Sequence, residues 1–108
     1  MVDRGNHIIR KIVINTGAVS RVAGDSSKSG FANGTGTAAE FDNPRRITTD
    51  GTNLYVTDTN NNKIRKIVIS SGVVTTISTG FDSPSGITSD GISLYSVNKG
   101  DSNIRKID

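Results

Sequence analysis

The residues with the clearest chemical potential are arginines. Arg10, Arg65 and Arg105 each stand inside the same tetrapeptide, Ile-Arg-Lys-Ile. A guanidinium presents planar donors that match a carboxylate or a set of carbonyls. A residue repeated in one setting is more economically read as a strand-to-strand clasp than as a ligand contact, and Asp58 is the candidate acid for Arg65. A basic rim for RNA is the rival chemistry, but no aromatic residues are interleaved to stack bases.

Other constellations stop short. Asp58-x-Asn60-x-Asn62 begins like a calcium loop, but Lys63 stands where glycine belongs and Ile69 where a bidentate Glu is needed. Asn60, Asn61 and Asn62 read instead as a tight turn, because Asn tolerates the left-handed region. His7 holds the place of Asn62 in the first copy and reads as a turn histidine; a single His builds no multi-histidine site. With no Cys there is no disulfide and no thiolate metal site. Gly34-x-Gly36 is followed by neither a third Gly nor Gly-Lys, and neither Gly-x-Ser-x-Gly nor His-Glu-x-x-His occurs. No catalytic residue, metal ligand or cofactor is expected. Asn33-Gly34-Thr35 is a glycosylation sequon.

Arg45-Arg46 differs from its counterpart Ser85-Gly86 and is the strongest candidate for binding an anion or a partner. Thirteen basic residues against ten acidic ones give a net charge of +3 and a pI near 9.5, a moderately basic surface. Nucleic acid is therefore a weak expectation. No apolar run is long enough to span a membrane, and none is expected as a partner.

These residues must be positioned by strands. Hydrophobic residues make up 32% of the chain, aromatic ones 5%, and there is no Trp, so Ile, Val and Leu carry the packing. Residues 8–14, 18–23, 45–50, 54–58, 63–69, 73–78, 85–90, 93–97 and 103–108 are β-branched or alternating runs, broken by Asn-Thr-Gly, Asp-Gly and Ser-Ser-Gly turns. No segment has a helical period. Residues 25–38 are a Gly- and Ser-rich loop with Phe31, Ala38, Ala39 and Phe41 as anchors.

The strands repeat. Phe41-Asp42-Asn43-Pro44, Asp50-Gly51 and Leu54-Tyr55 return as Phe81-Asp82-Ser83-Pro84, Asp90-Gly91 and Leu94-Tyr95. The unit is about 40 residues long, which suits four strands that cannot bury both faces alone. The first interval is longer, and its extra residues fall in the loop before Phe41.

At Pro44, Ile47, Asp50-Gly51, Leu54-Tyr55-Val56, Asp58, Asn61 and Ile64-Arg65, and again at Pro84, Ile87, Asp90-Gly91, Leu94-Tyr95 and Ile104-Arg105, the chain resembles the NHL-repeat β-propellers. The resemblance implies an all-β fold of four-stranded antiparallel blades: residues 3–24 as half a blade (third and fourth strands), 44–79 as a complete blade, and 84–108 as the first three strands of another. NHL-type rings have about six blades, so the expectation is a homotrimer, with the first two strands of one chain's last blade pairing with the third and fourth strands of the next chain; the alternatives are a piece of a larger ring and another ring size. By propeller geometry Arg45, Arg46, His7, Asn60, Asn61 and the 25–38 loop share one face. The expected function is a non-catalytic scaffold binding a protein, glycan or anionic ligand there. The alternatives are a lyase- or lactonase-type propeller enzyme and an RNA-binding module.

Overall fold

The computed structural model describes residues 1–78 and 80–107, without the side chains of Asp3, Arg4 and Ser78. The expected blade end at Thr79 and strand end at Asp108 lie outside the described residues. Eleven strands follow in order: β1 (Val2–Asp3), β2 (Ile8–Ile12), β3 (Val19–Ala23), β4 (Gly34–Thr35), β5 (Pro44–Thr49), β6 (Asn53–Asp58), β7 (Lys63–Val68), β8 (Val73–Ser78), β9 (Pro84–Ser89), β10 (Leu94–Asn98) and β11 (Asn103–Ile107). They form three antiparallel sheets, β1-β2-β3, β4-β8-β7-β6-β5 and β9-β10-β11. The fold is all-β and consistent with a fragment of a β-propeller.

Two strands go beyond the nine expected. β1 pairs Val2 with Ile9, as Thr57 of β6 pairs with Ile64 of β7, so the first sheet begins with the end of a second strand. β4 comes from the long connection and adds a fifth, outermost strand by pairing Gly34 with Val74. Gly34 and Thr35 of the long connection are therefore part of the sheet. Of the four expected anchors, Ala39 and Phe41 are buried, whereas Ala38 and Phe31 are exposed. Phe31 is held by its ring face instead, as described below.

The repetition extends to irregularities. β5–β6 and β9–β10 share a register shift beside Pro44 and Pro84. β2–β3 and β7–β8 share one at Ile9/Arg10 and Ile64/Arg65. Such bulges re-aim a strand, and their recurrence shows equivalent curvature in each sheet. β9 packs along β5 and β6, and β1 packs against β5, so the sheets meet side by side near their inner strands.

The core is Ile9, Ala23, Ala39, Phe41, Val56, Ile67 and Val74. Each large side chain in it contributes about 2 kcal/mol of burial. Consecutive Ile64 and Arg65 are both buried, as in a sheet covered on both faces. Gly24 closes this core. Its φ is 94°, and a Cβ there would lie 2.5 Å from the His7 carbonyl oxygen, so only glycine fits.

Candidate functional site

Arg65 on β7 is the polar centre of the middle sheet. It is fully buried, with 0% side-chain exposure. Its Nη1 donates to Asp58 Oδ2 at 2.8 Å and to the Glu40 carbonyl at 2.8 Å, and its Nη2 donates to the Ala32 carbonyl at 2.7 Å and Asn33 Oδ1 at 3.2 Å. The guanidinium lies between the rings of Phe31 (4.8 Å) and Phe41 (4.9 Å), while Lys63 Nζ stands 4.6 Å from Phe31. Asp58 at the end of β6 is also fully buried. Its Oδ1 accepts the Asp42 N–H at 2.8 Å and its Oδ2 accepts Asn61 Nδ2 at 2.8 Å. Burial pushes the Asp58 carboxyl above the usual carboxylate range, against the lowering by Asn61, the Asp42 N–H and Arg65. Burial likewise lowers the Arg65 guanidinium. Asp58 is the partner the sequence suggested. The pair clamps the long connection onto the sheet.

The third sheet has a looser version. Arg105 donates from Nη1 to the Gly80 carbonyl and from Nη2 to Asp101 Oδ2, both at 2.8 Å, and lies 5.4 Å from the Phe81 ring. Acid and amide have exchanged places. Asn98 stands where Asp58 stands and accepts the Asp82 N–H at 2.6 Å, and Asp101 stands where Asn61 stands. Arg105 is 40% exposed.

The turns joining second to third strands (B–C turns), from β1 to β2, β6 to β7 and β10 to β11 (residues 4–7, 59–62 and 99–102), end in left-handed residues: His7 (φ 59°), Asn62 (φ 57°) and Ser102 (φ 61°). Two of them latch neighbouring sheets. His7 Nδ1 accepts the N–H of Asn43 at 3.0 Å, and Asn62 Oδ1 accepts the N–H of Ser83 at 2.9 Å. His7 Nδ1 lies 3.9 Å from Asp42 Oδ1. The accepting Nδ1 places the imidazole proton on Nε2.

His7, Asn60 and Asn61 gather around residues 42–43 and Gly30. Asn60 donates from its backbone to the Asp42 carbonyl at 3.2 Å and from Nδ2 to Asp42 Oδ1 at 3.3 Å. Asn61 Nδ2 donates to the Gly30 carbonyl at 2.6 Å. All three direct these bonds into the protein itself. Arg45 is the extra residue of the β5 bulge and is half-buried. Arg46 is exposed, and its Nη1 donates to the Arg45 carbonyl at 3.0 Å. Among the described residues, no cluster of three or more His, Asp or Glu could hold a metal ion, and no helix is long and apolar enough to cross a membrane.

With this geometry in view, the chain is similar in fold to several solved Bacteroides proteins. An auxiliary nutrient binding protein from Bacteroides thetaiotaomicron superposes with a TM-score of 0.84 at 21% identity, over 99% of this chain and 33% of that one. One of the same description from Bacteroides ovatus gives 0.79 at 20% identity, over 97% and 33%. A Bacteroides thetaiotaomicron protein of unknown function gives 0.83 at 22% identity, over 96% and 30%. At such identities the likeness establishes the fold alone. The chain spans about one third of the length of each. No protein-family model matches it, and no curated protein sequence does.

Four contributors were not anticipated. Ala32 and Asn33 complete the Arg65 clasp through a backbone carbonyl and a side-chain amide. Neither residue type advertises that role. Thr57 and Thr59 donate to the Ser85 and Pro84 carbonyls at 2.9 and 2.6 Å, joining the second and third sheets. Their counterparts Val97 and Lys99 lack hydroxyls, so repetition concealed them.

Proposed function

We propose that this chain is a non-catalytic interaction scaffold of the NHL-like β-propeller type, binding an anionic or glycan ligand through Arg45 and Arg46 on the face of the B–C turns. The observation that carries this is the division of labour there. His7, Asn60 and Asn61 hold the sheets and the long connection together, while Arg46 extends into solvent. A residue set committed to scaffolding, with an adjacent exposed cation, suits binding better than turnover. The nutrient binding description of two proteins similar in fold is compatible with it.

Ring completion belongs to the same reading. Three chains supplying two blades' worth of strands each would close a ring of about six blades and remove exposed strand edges. Light scattering is expected to give a trimer mass for this chain, and a stable monomer overturns the ring.

The binding reading is tested with an oligosaccharide array and a panel of small carboxylates and phosphates. Ligands retained by the wild type should be lost by Arg45→Ala combined with Arg46→Ala. Unchanged binding by that variant, or turnover of the bound compound, overturns it.

A further inference from the structure

We propose that His7 is a proton-operated latch between the first and middle sheets: a proton added at Nδ1 exchanges the Asn43 N–H for the Asp42 carboxylate and frees the joint at residue 43. The latch is independent of ligand binding at Arg45 and Arg46.

Two nearly identical joints differ in one chemical respect. At each, a left-handed turn residue accepts the N–H of the residue before a proline. His7 Nδ1 takes that of Asn43 at 3.0 Å, and Asn62 Oδ1 takes that of Ser83 at 2.9 Å. The receiving residues match in backbone as well, with φ of 49° at Asn43 and 50° at Ser83. An amide oxygen accepts in acid and base alike. An imidazole nitrogen accepts only while it is unprotonated, and imidazole is the side chain whose charge ordinarily changes near neutrality. The first joint can therefore respond to protons and the second cannot.

The competing partner is already in place. Asp42 Oδ1 lies 3.9 Å from the same Nδ1, too far for a hydrogen bond, and a closure of about 1 Å makes one. The side chains of His7 and Asp42 are 21% and 31% exposed, so solvent protons reach both. In the neutral ring the proton sits on Nε2 and Nδ1 accepts. A proton taken from solvent gives an imidazolium with a donor on each nitrogen. Nδ1–H then meets the Asn43 N–H donor to donor, while the Asp42 carboxylate offers a charge-assisted bond in its place. The Asn43 N–H loses its acceptor, and that loss opens the joint.

Among the described side chains, the ion-pairing partner of the ring is Asp42. At the end of β3, Gly24 lies against the His7 carbonyl, and Asp25 beyond it is held by the N–H and hydroxyl of Ser27. The turn of the middle sheet reaches Asp42 through a neutral group, Asn60 Nδ2, which donates to Oδ1 at 3.3 Å. Lys63 is turned to the Phe31 ring. Beyond Pro44 come Arg45 and Arg46, the latter with Nη1 on the Arg45 carbonyl. Arg4, in the same turn as His7, lies outside the described side chains. Because Asp42 Oδ1 serves Asn60 as well, the exchange is felt in the 59–62 turn too.

The test is amide hydrogen exchange of the 108-residue protein, read by NMR at about pH 8 and about pH 5, with Ser83 as the internal reference for Asn43. From the higher to the lower pH, protection of Asn43 relative to Ser83 is expected to fall about tenfold, the scale of one hydrogen bond. The His7 Nδ1 signal should change from unprotonated to protonated over the same interval. His7→Asn supplies an acceptor that does not titrate, and its ratio should be the same at both pH values. Asp42→Asn withdraws the competing carboxylate, so the fall should be smaller at the same pH. A wild-type ratio that does not change, a fall of equal size in His7→Asn, or an undiminished fall in Asp42→Asn overturns the proposal.

Discussion

Arg65 and Asp58 form a wholly buried ion pair, Nη1 to Oδ2 at 2.8 Å, where the ends of β6 and β7 meet the long connection. Attraction between the two charges is opposed by the cost of removing both from water, and each is shifted in the direction burial dictates. What tips the balance is the company the pair keeps. Two backbone carbonyls, an Asn oxygen, a backbone N–H and the Asn61 amide satisfy most of the remaining donors and acceptors. The pair is thus a device for fixing the path of residues 30–42, and its worth is specificity more than net stability.

Asp58→Asn leaves the Arg65 charge buried without its counter-ion, a loss of about 3 kcal/mol in unfolding free energy. The third sheet shows a remedy, because there the acid occupies the other place, Asp101, and still reaches its arginine at 2.8 Å. Adding Asn61→Asp to Asp58→Asn is expected to recover about half of that loss. Recovery stays partial because the Gly30 carbonyl loses its donor. Chemical denaturation of the two variants and the wild type measures this. A double variant no more stable than Asp58→Asn contradicts the equivalence of the two sheets.

The inter-sheet latches predict an unusual tolerance. His7 and Asn62 do the same work with different atoms, each accepting one N–H from the residue before a proline. His7→Asn keeps both the acceptor and the left-handed backbone that Asn adopts readily, so thermal unfolding should be unchanged or slightly raised. His7→Ala loses the acceptor and strains the backbone, at a cost of about 1 kcal/mol. Equal melting temperatures for the Ala and Asn variants would show that the Asn43 N–H does not need this partner.

Much of this was legible in the sequence because repetition supplies its own controls. The strand runs, the Asp-Gly turns and the pairing of Asp58 with Arg65 all follow from residue types recurring in step. β4 was not legible, since Gly34-Thr35 carries no strand preference and pairs only because the clasp brings it alongside Val73-Val74. Phe31 anchors the loop in a way that residue type alone does not show. Its ring rests on cations rather than in the apolar interior and stays 46% exposed. Asp101 replaces Asn61 by a single letter, and only the hydrogen bonds show that the acid moved while the charge stayed.

The turns joining β5 to β6 and β9 to β10 make stability depend on acidity with a definite sign. Asp50 Oδ1 accepts the N–H groups of Thr52 and Asn53, and its Oδ2 accepts the Tyr55 hydroxyl at 2.7 Å. These bonds, that from Asn53 foremost, draw its carboxyl from 3.8 down to about 2. Asp90 is lowered in the same way by Ser93, Ile92 and Tyr95. A carboxyl that is more acidic when folded binds fewer protons there than in the unfolded chain. Its contribution is complete above the unfolded value of 3.8 and is lost as pH falls toward about 2. Asp58 works the other way, because burial raises its folded value; its protonation favours folding, an advantage complete below the unfolded value of 3.8 and lost as pH rises through the raised value. The two exposed turns therefore drive acid unfolding and Asp58 opposes it. Urea midpoints followed down through this range should fall steeply for the wild type and more gently for Asp50→Asn combined with Asp90→Asn, which starts less stable at neutral pH because the Tyr55 and Tyr95 bonds are weakened. Parallel curves for the two proteins would mean that other carboxyls govern the acid limb.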